Sequence, residues 1–241
     1  MSVIVKESYI GAGIVYVAGR DVGNASGVEV SIEQEEKSLP NYRGGGGNYD
    51  SVTKVSSVKL KMTLNAFSNE NLALALRGKV SVLTADPVDD EPVVAKLDGL
   101  APTENEKLID ISKPVTVTNS DGTTTYDMDV DYYVSAAGIR AIGTGAIVDG
   151  AQLKVSYTSA AGNALEALTE AGVTVPVVID GMNDANGKPC VLRFYLWKPS
   201  PTSSLSLITD DYGSFDIEGE VLANDAIVAA GKSKFFKRLA A

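Results

Sequence analysis

The chain has 241 residues, 44% of them apolar and 22% charged, a profile that excludes a disordered polymer and allows one large domain or two small ones. It holds no histidine and a single cysteine, Cys190, which excludes Ser-His-Asp and Cys-His nucleophile systems, most zinc and iron sites, and any intrachain disulfide. Acidic residues outnumber basic ones by 31 to 21, a net charge of −10, so sequence-independent DNA binding by counterion release is disfavoured.

The opening "MSVIVKESYIGAGIVYVAG" lacks a basic start and is broken by Lys6, Glu7 and glycines, so no signal peptide is expected. No apolar run of about 18 residues follows, and no membrane anchor is expected. In "GVEVSIEQEEK", Val28, Val30 and Ile32 alternate with Glu29, Ser31 and Glu33. In "VKLKMTL", Val58, Leu60, Met62 and Leu64 alternate with Lys59, Lys61 and Thr63. Both patterns predict strands with one buried face. Between them lies "NYRGGGGNYDSV", Asn41 to Val52, which the flanking strands make the tip of a very long hairpin. Phosphate cradling by Gly44 to Gly47 would need a strand before and a helix after, and a strand follows here instead. "FSNENLALALRGKV" predicts a short helix, capped by Ser68, with Leu72 and Leu76 as its apolar stripe and Gly78 as its stop.

From Asp86 the texture changes. Residues 86–160 carry 13 acidic and five basic side chains, net −8, whereas the remainder carries 18 and 16, net −2. "DPVDDEPVVAKLDGLAPTENEKL" has the prolines and acids of a connector. In "YDMDVDY", Asp127, Asp129 and Asp131 alternate with Tyr126, Met128, Val130 and Tyr132, predicting a strand with a solvated acidic face. The three acids resemble the start of a calcium loop, but no glycine sits at its sixth position and Gly138 stands at its twelfth. "NALEALTEAG", with Asn163 and Glu166 at capping-box spacing, predicts a second short helix or a turn.

Beyond it, "VTVPVVIDG" and "PCVLRFYLWKP" flank the hairpin signal Asn186-Gly187, and "LSLIT" with "SFDIEGEVL" predicts a further hairpin around Asp210-Asp211. Strict alternation would put Tyr195 and Trp197 on one strand face and Phe194 on the other, whether for packing or for stacking on a sugar. The 31 acids allow many carboxylate pairs, and nothing selects one as catalytic. The end, with Lys232, Lys234, Lys237 and Arg238 around Phe235 and Phe236, suits either nucleic acid or an acidic protein neighbour. The expected fold is therefore mainly β, a sandwich or barrel with one or two short helices. Its main domain is residues 1–85 and 161–241, and an acidic β insertion spans 86–160.

Three stretches in this order resemble the major tail tube protein of tailed bacteriophages, in particular of long non-contractile, siphophage-type tails. They are "IGAGIVYVAG" followed by the long hairpin, "NENLALALRG", and "VIDGMNDANGKPCVLRFYLWKPSPTSSLSLITDDYGSFDIEGEVLAND". "DYYVSAAGIRAIGTGAIVDGAQLKVSYT" is similar to a hairpin module inserted in many phage structural proteins. The resemblance implies a tail-tube-type β fold in a non-enzymatic virion protein, assembled in the host cytoplasm as hexameric rings stacked into a hollow conduit for genome delivery. It implies tape-measure and tail-end proteins as partners, and transient, non-binding passage of DNA. It implies no catalytic residue, metal or cofactor.

The inter-ring loop would be Asn41, Tyr42, Arg43, Gly44, Gly45, Gly46, Gly47, Asn48 and Tyr49, ordered by contact with the adjacent ring. Glu29, Glu33, Glu35, Asp216, Glu218 and Glu220 are the candidates for an acidic lumen, with Lys59 and Lys61 available to pair across strands. The insertion would project from the outer wall. A carbohydrate-binding β-sandwich, a hydrolase using two carboxylates, and the inner tube of a contractile injection machine are the alternative readings.

Overall fold

The structure is a computed structural model that describes residues 8–103 and 107–241. Lys6 and Glu7 of the opening stretch and residues 104–106 of the proline-rich connector lie outside the described residues. The chain divides into two compact units, one running to Val80 and resuming at Leu165–Ala241, the other Ser81–Ala164. In chain order the first unit begins with β1 (Gly11–Val17), β2 (Arg20–Asp21), β3 (Ala25–Pro40), β4 (Asn48–Leu64), helix α1 (Asn69–Leu76) and β5 (Lys79–Leu83). Then come β6 (Pro87–Val94), β7 (Leu100–Pro102), β8 (Thr116–Asn119), β9 (Thr125–Tyr126), β10 (Tyr132–Ser135), β11 (Gly138–Ala141) and β12 (Gln152–Thr158). The chain ends with β13 (Gly162–Glu166), β14 (Val175–Asn183), β15 (Lys188–Pro199), β16 (Phe215–Val221) and β17 (Phe236–Ala240).

The protein is mainly β, and every strand ladder described is antiparallel. In the first unit one sheet runs β2-β1-β14-β15-β16-β4-β3, with β17 added to β15. The core follows from alternation. Val58, Leu60, Met62 and Leu64 of β4 are buried one after another, and Val15, Val17, Val177, Phe194, Trp197 and Ile217 join them. Full burial of each such side chain contributes about 1.5–3 kcal/mol relative to exposure.

Helix α1 starts as its sequence predicts, with the Ser68 hydroxyl accepting from the Asn71 amide at 3.2 Å. Two details differ. The left-handed residue that ends the helix is Arg77, φ 46°, rather than Gly78, which is glycine because a Cβ there would sit 2.5 Å from the Glu166 carbonyl oxygen. The inward positions are Asn71 and Ala75, with Leu72 and Leu74 packed beside them, rather than a Leu72–Leu76 stripe. Asn71 is fully used: its amide donates to the Val22 and Ala66 carbonyls at 2.8 and 2.9 Å, and its oxygen accepts from Arg20 at 2.7 Å. It ties the helix to the β2–β3 connection.

Where a short helix or turn is expected, residues 162–166 form a strand with a turn after it at 167–168, because β13 pairs with β5 and a ladder outweighs a local capping signal. Residues 205–209 are not a strand either; β16 pairs instead with β15 and with β4, from Phe215 opposite Leu64 to Glu220 opposite Lys59. On β15 the predicted alternation breaks at a bulge. Val175 faces Trp197 and Val177 faces Phe194, so two steps on β14 oppose three on β15. Phe194 and Trp197 thereby enter the same core, and Tyr195 does not share Trp197's full burial.

The Trp197 indole donates to the Leu60 carbonyl at 3.3 Å, and Gly219 makes room for it. A Cβ on Gly219 would lie 2.5 Å from the indole nitrogen and 2.5 Å from the Lys198 carbonyl oxygen. Gly219→Val is therefore expected to cost about 1–3 kcal/mol or more by overpacking. Gly27→Ala, whose Cβ would first meet Thr63 at 3.8 Å, should cost far less. Thermal melts followed by tryptophan fluorescence compare the two.

The second unit contains a β6-β12-β8-β9 sheet and a β10-β11-β7 sheet around Val117, Tyr132, Ile139, Leu153, Val155 and Tyr157. The Tyr132 hydroxyl donates to the Val115 carbonyl at 2.9 Å, and the buried Glu91 carboxylate accepts from the Tyr157 hydroxyl at 2.7 Å. The predicted acidic strand at 127–131 is instead a turn. Asp131 is buried, its carboxylate accepting from the backbone N–H groups of Asp127 and Ala146 at 2.9 and 2.7 Å, while Met128 and Val130 are exposed. Those two donors, Ala146 first, hold the Asp131 carboxyl below its ordinary value. Local turn chemistry has overridden the period-two pattern.

Candidate functional site

Strands β3 and β4 are 16 and 17 residues long, about 50 Å at ~3.4 Å per residue, and only their proximal halves reach the core. From Glu33 to Ser56 every residue is exposed except Asn41, which is partly covered. The ribbon is nonetheless paired throughout, to Leu39 opposite Asp50 and Pro40 opposite Asn48. Beyond Glu33 it projects with both faces and both strand edges uncovered by the described residues.

Among the predicted loop residues, Asn48 and Tyr49 belong to β4, and Asn41–Gly47 make the turn. Asn41 organises it. Its amide donates to the Gly47 carbonyl at 2.9 Å, its side chain accepts from the Arg43 amide at 2.9 Å and donates to the Gly44 carbonyl at 3.2 Å. Gly44, Gly45, Gly46 and Gly47 all have left-handed φ, from 72° to 93°, which explains four glycines in succession. Tyr42 and Tyr49 flank the tip, 84% and 62% exposed. Leu39, Val52 and Val55 add apolar surface along the ribbon.

Five of the six acidic candidates lie on the polar face of one sheet. Register places Glu29, Lys61 and Glu218 in one row and Ser31, Lys59, Glu220 and Lys198 in the next. Lys59 reaches Glu33 at 3.1 Å and Glu218 at 4.0 Å, and Lys61 reaches Asp216 at 2.7 Å. The Thr63 hydroxyl also donates to Asp216 at 2.6 Å. Asp216 is held below its ordinary value by Lys61 and Thr63, and Glu33 by Ser57 and Lys59. Lys59 and Lys61 are raised in return.

The face is thus a mixed lattice rather than a bare acidic row: Glu29, Glu33, Asp216, Glu218 and Glu220 against Lys59, Lys61 and Lys198, net −2. Glu35 stands apart on the ribbon, 3.7 Å from Lys37. Such exposed pairs add little stability each, so their value lies in the field they shape. Among the described residues, no three Asp, Glu or Cys side chains converge as a metal site.

Sequence reasoning passed over two features of the first unit. One is a cleft of about 570 Å³ lined by β1, β3, Tyr9 and Arg238. The other is the strandless segment 200–214, whose Ile208 and Tyr212 are 99% and 100% exposed. The sequence predicts a hairpin strand at 205–209 within the second, and the apolar residues beside Asp210-Asp211 are its signal.

The fold and this surface define an antiparallel, mainly-β protein with an inserted β unit and a protruding ribbon. The chain belongs to the family described as "Protein of unknown function UCP028589", whose profile matches residues 8–239. No curated protein matches it.

Proposed function

We propose that this chain is a structural, non-catalytic subunit of a bacteriophage tail tube of the long non-contractile type, stacked as hexameric rings into a conduit for genome delivery. The observation that carries this reading is the ribbon from Glu33 to Ser56, paired yet bare on both faces. A lone two-stranded ribbon is marginally stable in water and gains most when another sheet or subunit covers it. The adjacent ring supplies that cover, and Gly44–Gly47 let the tip adapt to it.

The mixed polar face around Glu218 and Lys61 is the lumen in this reading. A net −2 per copy repels phosphate, and the interleaved lysines keep the tube wall from repelling itself. Tape-measure and tail-end proteins are its partners, and DNA passes without binding. The second unit sits on the outer wall. Negative-stain images of the purified, concentrated chain test the proposal. Rings or tubes with a central channel are expected; a chain that stays monomeric at every concentration would sink it.

A further inference from the structure

The cleft and the exposed loop of the first unit are complementary in apolar character and in charge. The cleft lies between the β1 edge at Gly11–Gly13 and the β3 edge at Ala25–Val30, with Ile179 and Leu192 between them. Among the described residues, β2 covers β1 only at Tyr16 and Val17 and β3 pairs only with β4, so those residues leave both walls as open strand edges. At about 570 Å³, the cleft has the size of a ligand pocket, but among the described residues its lining is mostly small and aliphatic, with Tyr9 and one cationic group, Arg238. Arg238 lies opposite Leu192 in the β15–β17 ladder, and its Nε donates to the Cys190 sulfur at 3.1 Å. It belongs to a terminal stretch, residues 231–241, that holds four basic residues and no acid.

The loop has the converse character. Leu207, Ile208 and Tyr212 are 76%, 99% and 100% exposed, and Asp210 and Asp211 stand among them. The exposure shows that the loop does not fill its own chain's cleft. Aromatic and aliphatic groups ringed by charge are what a buried interface centre uses.

We propose that the Leu207–Tyr212 loop of one copy inserts into the β1–β3 cleft of a second copy, with Asp210 and Asp211 meeting Arg238 at its mouth. This rests on the ring-forming reading and names its lateral contact. Donor and acceptor are different patches of the same chain, so the contact is head-to-tail and closes into a ring when its rotation allows. The acidic loop and basic strand also reject reversed docking, since like charges would then face one another.

The test uses the full-length chain in sedimentation velocity, with a thermal melt of each variant as a folding control. Ile208→Asp alters an exposed side chain and should leave the melt unchanged, and Arg238→Glu, which also loses the bond to Cys190, should leave the chain cooperatively folded. Each should raise the concentration of half-assembly at least tenfold. Combining Arg238→Glu with Asp210→Arg and Asp211→Arg in one chain restores opposite charge across the contact, and should recover most of the loss. If Arg238→Glu and Ile208→Asp assemble at the parent's concentration, or the charge exchange rescues nothing, this contact is wrong while the tube reading stands. If the parent chain is monomeric throughout, both fall. If the parent forms rings only after a different protein is added and bound at the cleft, a second copy is the wrong occupant.

Discussion

A chain in which residues 34–56 are replaced by Asn-Gly is expected to fold as well as its parent and to lose stacking entirely. Glu33 and Ser57 are direct register partners, so a two-residue turn can close the shortened hairpin between them. The excised residues are exposed apart from the partly covered Asn41, and none belongs to the core. A melting temperature within roughly 2 °C of the parent is therefore expected, since surface changes of this kind usually move stability by about 0.5 kcal/mol or less. Electron microscopy should show single rings at concentrations where the parent forms tubes. Long tubes at parental yield would mean that the ribbon has another role.

Removing the second unit should have the other large effect. Its core and that of the first unit have no residue in common. Joining Leu83 to Gly162 by a short Gly-Ser linker keeps β5 and β13, which pair with each other, and turns the excursion into a hairpin. The shortened chain should remain soluble, β-rich and cooperative in its melt, and its tubes should keep their bore while losing outer diameter. An aggregated product would show that residues 84–161 complete the first unit's core. Residues 84–161 expressed alone should fold with their own transition, a demanding test for so small a core.

The proximal hairpin was legible in the sequence because each side chain from Val58 to Leu64 declares its face by parity alone. The break at Asp86 and Ala160 was visible as charge, although the compact units divide a few residues outside it, at Ser81 and Ala164. Other features depended on contacts that no local pattern carries. The β15 bulge that unites Phe194 and Trp197 requires knowing how β14 lies beside it. Asp131 looked like one more acid in an alternating row until its carboxylate met two backbone donors, one of them 15 residues away. Asn163 and Glu166 carried a sound helix-start signal, yet β5 supplied a partner that made a strand the better solution. For the candidate surface, alternation picked out five of the acids, but it also took in Glu35, which lies beyond the register shift after Glu33, and it missed Lys198, because only the β15–β16 register brings that residue into their lattice.

The order of strands in the main sheet has a kinetic consequence. β1 pairs with β14, so Gly11 waits for Asn183 and Val17 for Val177, and β4 waits for β16. During synthesis the β3–β4 hairpin is complete long before the strands that anchor it have left the ribosome. The second unit, whose ladders lie within residues 81–164, can collapse in the interval and bring the two halves of the first unit closer than an unfolded loop of that length would. Closure of the sheet then depends on non-local pairs, the slow kind. The cleft wall contributed by β1 is held in place by β14, and Arg238 follows only on β17. A nascent chain therefore carries its projecting ribbon early and completes the cleft last; in the proposed tube, that order would delay polymerisation until after release, by the timing of translation itself.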